Sequence, residues 1–240
     1  SFDGALSDIK QAIAIQDLPI YTQLEGDIHY LKQDFNSALA SYKKVNESNI
    51  RSASTIFTEA KTLEMLETPA EEVLVLMDSC VAQFNKPYSA DAAPYLIERA
   101  RVRMEAKQAR NAVLDYDECY AALLGNVNDG FYNLRGQACL ESKQYQRALD
   151  DFTKAIELNP RELTYYSELA YVNMRVGRNQ EAIDVLKKSL KIDAEYAEGY
   201  RLIGVAYLQL KQNAEACEYF NKAKELGDTN VDTLIEKYCK

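Results

Sequence analysis

The residues that could carry catalysis are few in this chain of 240 residues. His29 is its single histidine, and the sequence offers no second group that would orient it as a general base. The paired acidic residues are too close in sequence for their carboxylates to converge on one point of a helix: Glu71 and Glu72, Asp115 and Asp117, Asp150 and Asp151. We interpret these acids as solvated helix faces and His29 as a structural residue. The sequence therefore predicts no enzymatic activity, no cofactor and no metal site.

Five cysteines occur, at Cys80, Cys119, Cys139, Cys217 and Cys239, without a Cys-x-x-Cys spacing. Most of them fall at core positions of predicted helices, where a free cysteine packs as a small hydrophobic side chain. One pair, Cys119 and Cys139, could lie on neighbouring helices, and a disulfide between them is left open. The odd number favours a reducing, cytoplasmic compartment, and a periplasmic or secreted location is the alternative.

The formal net charge of −9 and the isoelectric point near 4.9 argue against a nucleic-acid partner, which requires a basic surface. One basic cluster departs from this balance: Arg99, Arg101, Arg103, Lys107 and Arg110. We expect this cluster to be a solvated helix face that nearby acids such as Glu98 and Glu105 neutralise. No stretch of the sequence is apolar over the roughly 18 residues that a membrane-spanning helix needs, so no membrane span is predicted.

A period of 34 residues organises the C-terminal half of the sequence. Small, aromatic and aliphatic residues recur at this step in four series: Tyr132, Tyr166 and Tyr200; Gly136, Ala170 and Gly204; Ala148, Ala182 and Ala216; Phe152, Leu186 and Phe220. A fixed period of this length is typical of stacked repeats, in which each unit buries its apolar face on its neighbour.

The residue pattern within each 34-residue repeat predicts two antiparallel helices. In residues 129–162, Tyr132, Gly136 and Cys139 are four and three residues apart, so they share one face of a helix. A polar stretch follows, and a second face with the same spacing begins at Ala148. Because a small residue stands on each helix, the two backbones can approach closely.

This unit resembles the tetratricopeptide repeat. Residues 129–162 match the family pattern at Tyr132, Gly136, Ala148, Phe152, Ala155 and Pro160, and depart from it at Arg135 and Cys139. Residues 163–196 and 197–230 follow in the same register. The resemblance implies an all-α fold, a right-handed α-α superhelix of about six helix-turn-helix repeats with a C-terminal capping helix.

Weaker copies of the pattern predict how the rest of the chain is divided. Phe2 and Ile9 match the second helix of a repeat, so we expect the chain to begin inside an array. The predicted segments are a truncated repeat at 1–18, similar repeats at 19–52 and 93–126, a degenerate repeat at 53–86, three well-matched repeats at 129–162, 163–196 and 197–230, and a cap at 231–240.

The resemblance also implies where a partner binds. In the first helix of each unit a second stripe lies about 130° from the core stripe, and stacking aligns these stripes into a concave groove. Tyr171, Met174 and Leu208 are expected to anchor an extended or helical peptide, and Arg201 to favour an acidic ligand. The predicted partner-binding residues are Asn133, Gln137, Leu140, Ser167, Tyr171, Met174, Arg175, Arg201, Val205 and Leu208.

Chaperone-tail binders of this family hold a terminal carboxylate with lysine, asparagine and arginine side chains. The matching positions here are Asn133, Gln137, Glu168, Glu198 and Leu202, and the two glutamates would repel that carboxylate. The sequence therefore predicts a scaffold that binds a peptide or helical segment of a protein partner without such a clamp. Two alternatives stay open: a regulatory region of a larger protein whose effector module lies outside this chain, and a homo-oligomerisation module.

Overall fold

The computed structural model describes residues 1–47, 52–84 and 89–239. Within these ranges the chain forms fourteen α-helices, two short 3₁₀ turns and no β-strand. It divides into two compact units, Ser1–Asn126 and Val127–Lys240. The predicted all-α helical-repeat class is confirmed.

The described part of each unit contains seven of these helices. Consecutive helices pack on one another as pairs, and the two helices of most pairs are joined by three residues, as in antiparallel helical hairpins. The N-terminal unit holds α1 (Phe2–Ile15), α2 (Pro19–Leu31), α3 (Phe35–Glu47), α4 (Ala53–Met65), α5 (Ala70–Val81), α6 (Ala93–Glu105) and α7 (Ala109–Ala122). The C-terminal unit holds α8 (Asp129–Glu141), α9 (Tyr145–Leu158), α10 (Leu163–Arg175), α11 (Asn179–Ile192), α12 (Ala197–Gln209), α13 (Asn213–Glu225) and α14 (Asp232–Tyr238).

The turn inside each pair ends the first helix in the same way. One residue takes a positive φ, and the next residue donates its backbone N–H to the carbonyl five residues before it, as Gln144 does to Cys139 at 2.7 Å. This is the Schellman arrangement, which satisfies carbonyls that the helix leaves free. The residues with positive φ in these turns are Gln33, Glu67, Lys107, Lys143, Gly177 and Lys211.

Glycines on the first helices admit aromatic rings from the second helices. A β-carbon at Gly136 would lie 2.9 Å from the ring of Phe152, and one at Gly204 would lie 2.5 Å from the ring of Phe220. Both rings are completely buried. The 34-residue series of alanines is completely buried as well, which is the close packing that the period predicts: Ala148, Ala182 and Ala216.

Two aspartates that the sequence analysis assigned to solvated faces are buried, so that assignment was wrong for them. Asp151 is 4% exposed and accepts hydrogen bonds from Nε and Nη2 of Arg135 at 3.0 and 2.7 Å. Asp115 is 1% exposed and accepts hydrogen bonds from Arg99 and Arg103. Arg135 and Arg99 each precede their aspartate by 16 residues and reach it across a helix pair. The pairing explains why Arg135 can replace an apolar residue of the repeat.

The other acidic residues with possible chemistry differ in exposure. Asp150, Glu71 and Glu72 are exposed as expected, whereas Asp117 is half-buried. His29 is half-buried near the end of α2, with Nδ1 3.2 Å from Oδ2 of Asp34. Asp34 also accepts a backbone hydrogen bond at the start of α3, so this histidine lies at a helix junction.

The basic cluster of α6 is more buried than expected, because its three arginines are only partly exposed. Arg101 donates hydrogen bonds to Glu98 at 2.9 Å, to Glu105 at 2.5 Å and to Glu64. Arg99 and Arg103 also donate hydrogen bonds to Oδ1 of Asp78, at 3.1 Å each. For these three arginines the expected neutralisation by acids therefore occurs between packed helices, whereas Lys107 and Arg110 are exposed as expected.

The cysteines pair differently from the possibility left open by the sequence. Cys217 on α13 forms a disulfide with Cys239, which directly follows α14. Cys119 and Cys139 are buried free thiols, as is Cys80. Burial raises the pKa of Cys80 and of Cys119 to about 11, so both thiols stay protonated at neutral pH.

The last helix, α14, packs on α13. Val231, just before α14, is completely buried in a hydrophobic cluster with Phe220, and Leu234 and Ile235 pack against that cluster. These contacts dock α14 on the pair formed by α12 and α13.

Candidate functional site

The first helices of three consecutive pairs in the C-terminal unit, α8, α10 and α12, lie side by side, with α10 in contact with both of the others. We call the side of the unit that these helices form the first-helix face. All ten residues that the sequence predicts for partner binding come from these helices: Asn133, Gln137 and Leu140 from α8; Ser167, Tyr171, Met174 and Arg175 from α10; Arg201, Val205 and Leu208 from α12.

The apolar members of this set differ in exposure. Tyr171 is 43% exposed, and Leu140, Val205 and Leu208 are half-buried. Met174 is only 7% exposed and packs in the hydrophobic cluster between α10, α11 and α12. Since the core stripe and the second stripe are only about 130° apart, a long side chain can turn into the core. Met174 is therefore not accessible to a ligand, whereas Tyr171 is exposed.

Two amide side chains lie on α8. Gln137 is half-buried, and its Nε2 donates a hydrogen bond to Oε1 of Glu168 at 3.1 Å, which joins α8 to α10. Oδ1 of Asn133 is buried, and no donor among the described residues reaches it. A buried acceptor without a donor is costly, so this oxygen would gain from an N–H group of a bound ligand.

A chain of hydrogen bonds runs from α10 to Asp228, which lies in the segment after α13. The hydroxyls of Ser167 and Tyr196 lie 2.6 Å apart, and Tyr196 donates to Glu198 at 3.1 Å. Burial raises the pKa of Tyr196 to about 12, so its hydroxyl keeps the proton that it donates. Arg201 then donates to Glu198 at 3.0 Å and to Asp228 at 2.9 Å. This network fixes the side chains between α10 and α12.

The network changes the expected role of Arg201. Its guanidinium is half-buried and already bonded to two carboxylates, which leaves it little attraction for a third. Arg175 is exposed at the end of α10, where it hydrogen-bonds with Tyr145. The expectation that Arg201 favours an acidic ligand is therefore not supported by its surroundings.

Glu168 lies between α8 and α12 in an acidic environment. Burial raises the pKa of Glu168, and the charges of Glu198 and Glu141 add to this rise, while the hydrogen bond from Gln137 opposes it. A cation placed nearby would stabilise the ionised form of a carboxyl group in these surroundings. The first-helix face is therefore suited to a positively charged group at Glu168.

Sequence reasoning named Glu168 and Glu198 only as residues that break a carboxylate clamp, and it did not identify Tyr196 or Asp228. Asp228 stands at the repeat position that Pro160 occupies 68 residues earlier, so the repeat pattern gives no hint of its ion pair. Tyr196 precedes α12, where the pattern assigns no role. Both contacts depend on how the pairs stack.

The corresponding helices of the N-terminal unit are joined by ion pairs. Nζ of Lys61 on α4 lies 3.3 Å from Glu98 on α6, and Arg101 on α6 contacts Glu64 on α4. Lys61 and Arg101 are therefore already neutralised by acids of the same unit. The C-terminal unit, with Tyr171 exposed and Glu168 among acids, is the stronger candidate for a binding face.

Among the residues that the structure describes, no group of three or more histidine, cysteine or acidic side chains is arranged to hold a metal ion. The helices in that part of the chain are also too short or too polar for any of them to cross a bilayer.

Two segments of the C-terminal unit match the family described as tetratricopeptide repeat, residues 131–162 and residues 167–231. The chain is similar to small glutamine-rich tetratricopeptide repeat-containing protein 2 of Mycosarcoma maydis, with 33% identity over 95 residues. This match covers 40% of the chain and 27% of that relative, so the chain spans about a quarter of the relative's length.

Solved structures share the fold. The C-terminal part of a TPR repeat-containing protein from Cytophaga hutchinsonii superposes with a TM-score of 0.76 at 14% identity, over 98% of this chain and 93% of that one. YrrB, described as a TPR protein with an unusual peptide-binding site, superposes with a TM-score of 0.63 at 19% identity, over 82% of this chain and 97% of its own. At such identities the similarity concerns the fold alone.

Proposed function

We propose that the chain, whose residues 131–162 and 167–231 match the tetratricopeptide repeat family, is a non-catalytic scaffold whose first-helix face binds a peptide segment of a protein partner. Proteins of this family act as protein-interaction scaffolds. The segment carries a lysine or arginine that contacts Glu168, next to an apolar side chain that contacts Tyr171. It binds in an extended or helical conformation along α8, α10 and α12.

The observation that carries this proposal is the position of Glu168 beside an exposed tyrosine. Tyr171 is three residues further along the same helix, so the two side chains lie on one side of α10. The charges of Glu198 and Glu141 help to raise the pKa of Glu168, and no cation among the described residues lowers it. A cationic side chain with an apolar neighbour would bury area on Tyr171 and relieve the repulsion among these carboxylates.

Two further features support a peptide. Oδ1 of Asn133 needs a donor, which a peptide backbone N–H provides. Leu140, Val205 and Leu208 are half-buried on the neighbouring helices, where they can widen the apolar contact. The charge of the ligand is opposite to the one expected from Arg201, because Glu198 and Asp228 already neutralise that arginine. The ligand also differs from the terminal carboxylate that a chaperone-tail clamp holds.

A selection from a random peptide library displayed on phage tests this function with identified ligands. We expect the enriched sequences to combine lysine or arginine with leucine or an aromatic residue. Enrichment of acidic sequences, or of none above background, would overturn the proposal.

The double substitution Tyr171→Ala and Leu208→Ala is expected to weaken binding of an enriched peptide by on the order of 100-fold, because each side chain supplies apolar contact area. The control is Leu158→Ala with Ile192→Ala, which removes two exposed apolar side chains, 49% and 44% accessible, from the second helices α9 and α11. Titration calorimetry measures both affinities. An equal loss in the two double variants would place the binding surface elsewhere.

Peptide binding is also expected to weaken as the pH falls. The pKa of Glu168 is raised in the free protein, and a bound cation lowers it again, so binding favours the ionised carboxylate. Affinity is therefore highest above the pKa of Glu168 in the free protein and decreases as the pH falls through it. Affinities measured from pH 7.5 to about 4.5 follow this trend, and the Glu168→Gln variant should lose most of the dependence. A profile that Glu168→Gln leaves unchanged contradicts the contact.

A further inference from the structure

The C-terminal helix α14 is weakly held by non-covalent contacts. It has seven residues, none of them fully buried, and a helix of this length is not stable alone in water. Leu234 and Ile235 are half-buried against the cluster on α13. Its ion pair, Lys224 with Asp232 at 2.8 Å, is largely exposed and adds little. The position of α14 therefore depends strongly on its covalent link.

That link is the disulfide between Cys217 and Cys239, 22 residues apart in sequence. It joins the first half of α13 to the residue that follows α14, so the bond closes a loop containing the whole helix. Closing such a loop removes conformational freedom from the undocked state and so favours the docked one.

The disulfide can be reached from solvent. Cys217 and Cys239 are both half-buried, in contrast to Cys80, Cys119 and Cys139, which are fully buried. A cleft of about 660 Å³, lined by Thr233, Ile235, Glu236, Lys237 and Cys239, opens beside the bond. A small thiol can therefore approach Sγ of Cys239.

The chain just before α14 is fixed independently of the disulfide. Asp228 donates its backbone N–H to the carbonyl of Ala223 at 3.0 Å and accepts the hydrogen bond from Arg201 at 2.9 Å. Val231 is completely buried. Loss of the disulfide should therefore release the residues after Val231 and leave α13 in place.

From these observations we propose that the Cys217–Cys239 disulfide is a redox latch: its reduction releases α14 from α13 and uncovers the apolar end of the last helix pair. The reductant is a dithiol. Its thiolate attacks Sγ of Cys239 and displaces the thiolate of Cys217, which takes up a proton. The second thiol of the reductant then resolves the mixed disulfide, so the reductant becomes a disulfide and Cys239 a thiol. This device is separate from the peptide-binding proposal and does not rest on it.

Hydrogen exchange measured by mass spectrometry, on protein oxidised with glutathione disulfide and then reduced with dithiothreitol, tests the latch. Amides of residues 233–239 are expected to exchange on the order of 100-fold faster after reduction. Those of α12 and α13 should change by less than about threefold. Alkylation in denaturant should label three cysteines before reduction, the free ones at 80, 119 and 139, and all five after it.

Two variants make the result specific. Cys217→Ser should show fast exchange at residues 233–239 whether or not reductant is present. Cys139→Ala, which removes a buried free thiol, should keep the difference between oxidised and reduced protein. The proposal is overturned if glutathione disulfide leaves five cysteines open to alkylation, if exchange in α14 is the same in both states, or if α13 loosens together with α14.

Discussion

Asp151→Ala is expected to lower the free energy of unfolding by about 3 kcal/mol, whereas Asp150→Ala should change it by less than about 0.5 kcal/mol. The two positions are adjacent on α9. Asp151 is buried and accepts two hydrogen bonds from Arg135, which is itself largely buried, so its loss removes the carboxylate opposite a desolvated guanidinium. Asp150 is exposed and accepts a hydrogen bond from Nε2 of Gln146, on the same helix, at 2.9 Å.

A double variant separates the destabilisation caused by breaking this ion pair from the net contribution of the intact pair to stability. The positions 34 residues later hold Leu169 and Val185, so Arg135→Leu with Asp151→Val gives this repeat the apolar pair of its neighbour. We expect the double variant to recover most of the stability lost in Asp151→Ala, since well-packed apolar residues can replace a buried ion pair. Urea denaturation followed by circular dichroism measures all three variants. Equal effects of Asp151→Ala and Asp150→Ala would show that the pair is not buried.

Gly204→Ala is expected to destabilise the protein by about 1–2 kcal/mol, although alanine is the better helix former. The added β-carbon would lie 2.5 Å from the buried ring of Phe220 and 3.1 Å from the backbone oxygen of Ala216, so the two helices must move apart. The loss of this packing exceeds the gain in helix propensity, which is roughly 1 kcal/mol.

The matched control is Gly130→Ala on α8, where the new β-carbon would meet only Oδ1 of Asn128 at 3.5 Å. Its stability should stay unchanged or rise by up to about 1 kcal/mol. Thermal unfolding of both variants measures the difference in one experiment. A stabilised Gly204→Ala variant would mean that the ring of Phe220 does not cross α12 at this point.

The helix pairs could be predicted from sequence because their packing follows local spacing. Gly136 and Ala148 stand at fixed positions in the 34-residue period, and the structure places them at the close approach of two helices. The turn before α9 followed from the polar stretch between the two faces. Such features repeat from unit to unit, so several copies support one interpretation.

The buried ion pairs and the disulfide could not be predicted in the same way. Arg135 and Asp151 are each typical of exposed helix positions, and only the stacking of α8 on α9 brings them together. Cys217 and Cys239 belong to different helical segments, and the path of the chain after α13 decides whether they meet. Among the described residues each kind of contact occurs once or twice, so the period does not reveal them.

For the first-helix face, the sequence identified the helices but not the orientation of every side chain. Tyr171 is exposed and Met174 is buried, although both belong to the same predicted stripe. Met174 packs in the cluster that contains Leu186, and the repeat pattern does not reveal which side chains at this angle from the core turn inward. The charge of the face also depended on tertiary contacts, because Asp228 neutralises Arg201 from outside the helix.

The most direct test of the binding account is the affinity of an enriched basic peptide for the Glu168→Gln variant, compared with Asp184→Asn by titration calorimetry. Both substitutions remove one negative charge, but Asp184 is exposed on the second helix α11. If Glu168 contacts a cation of the peptide, Glu168→Gln weakens binding about 10-fold or more while Asp184→Asn changes it less than about twofold. Equal losses would mean that the peptide responds only to net charge, and the first-helix face would not be its site.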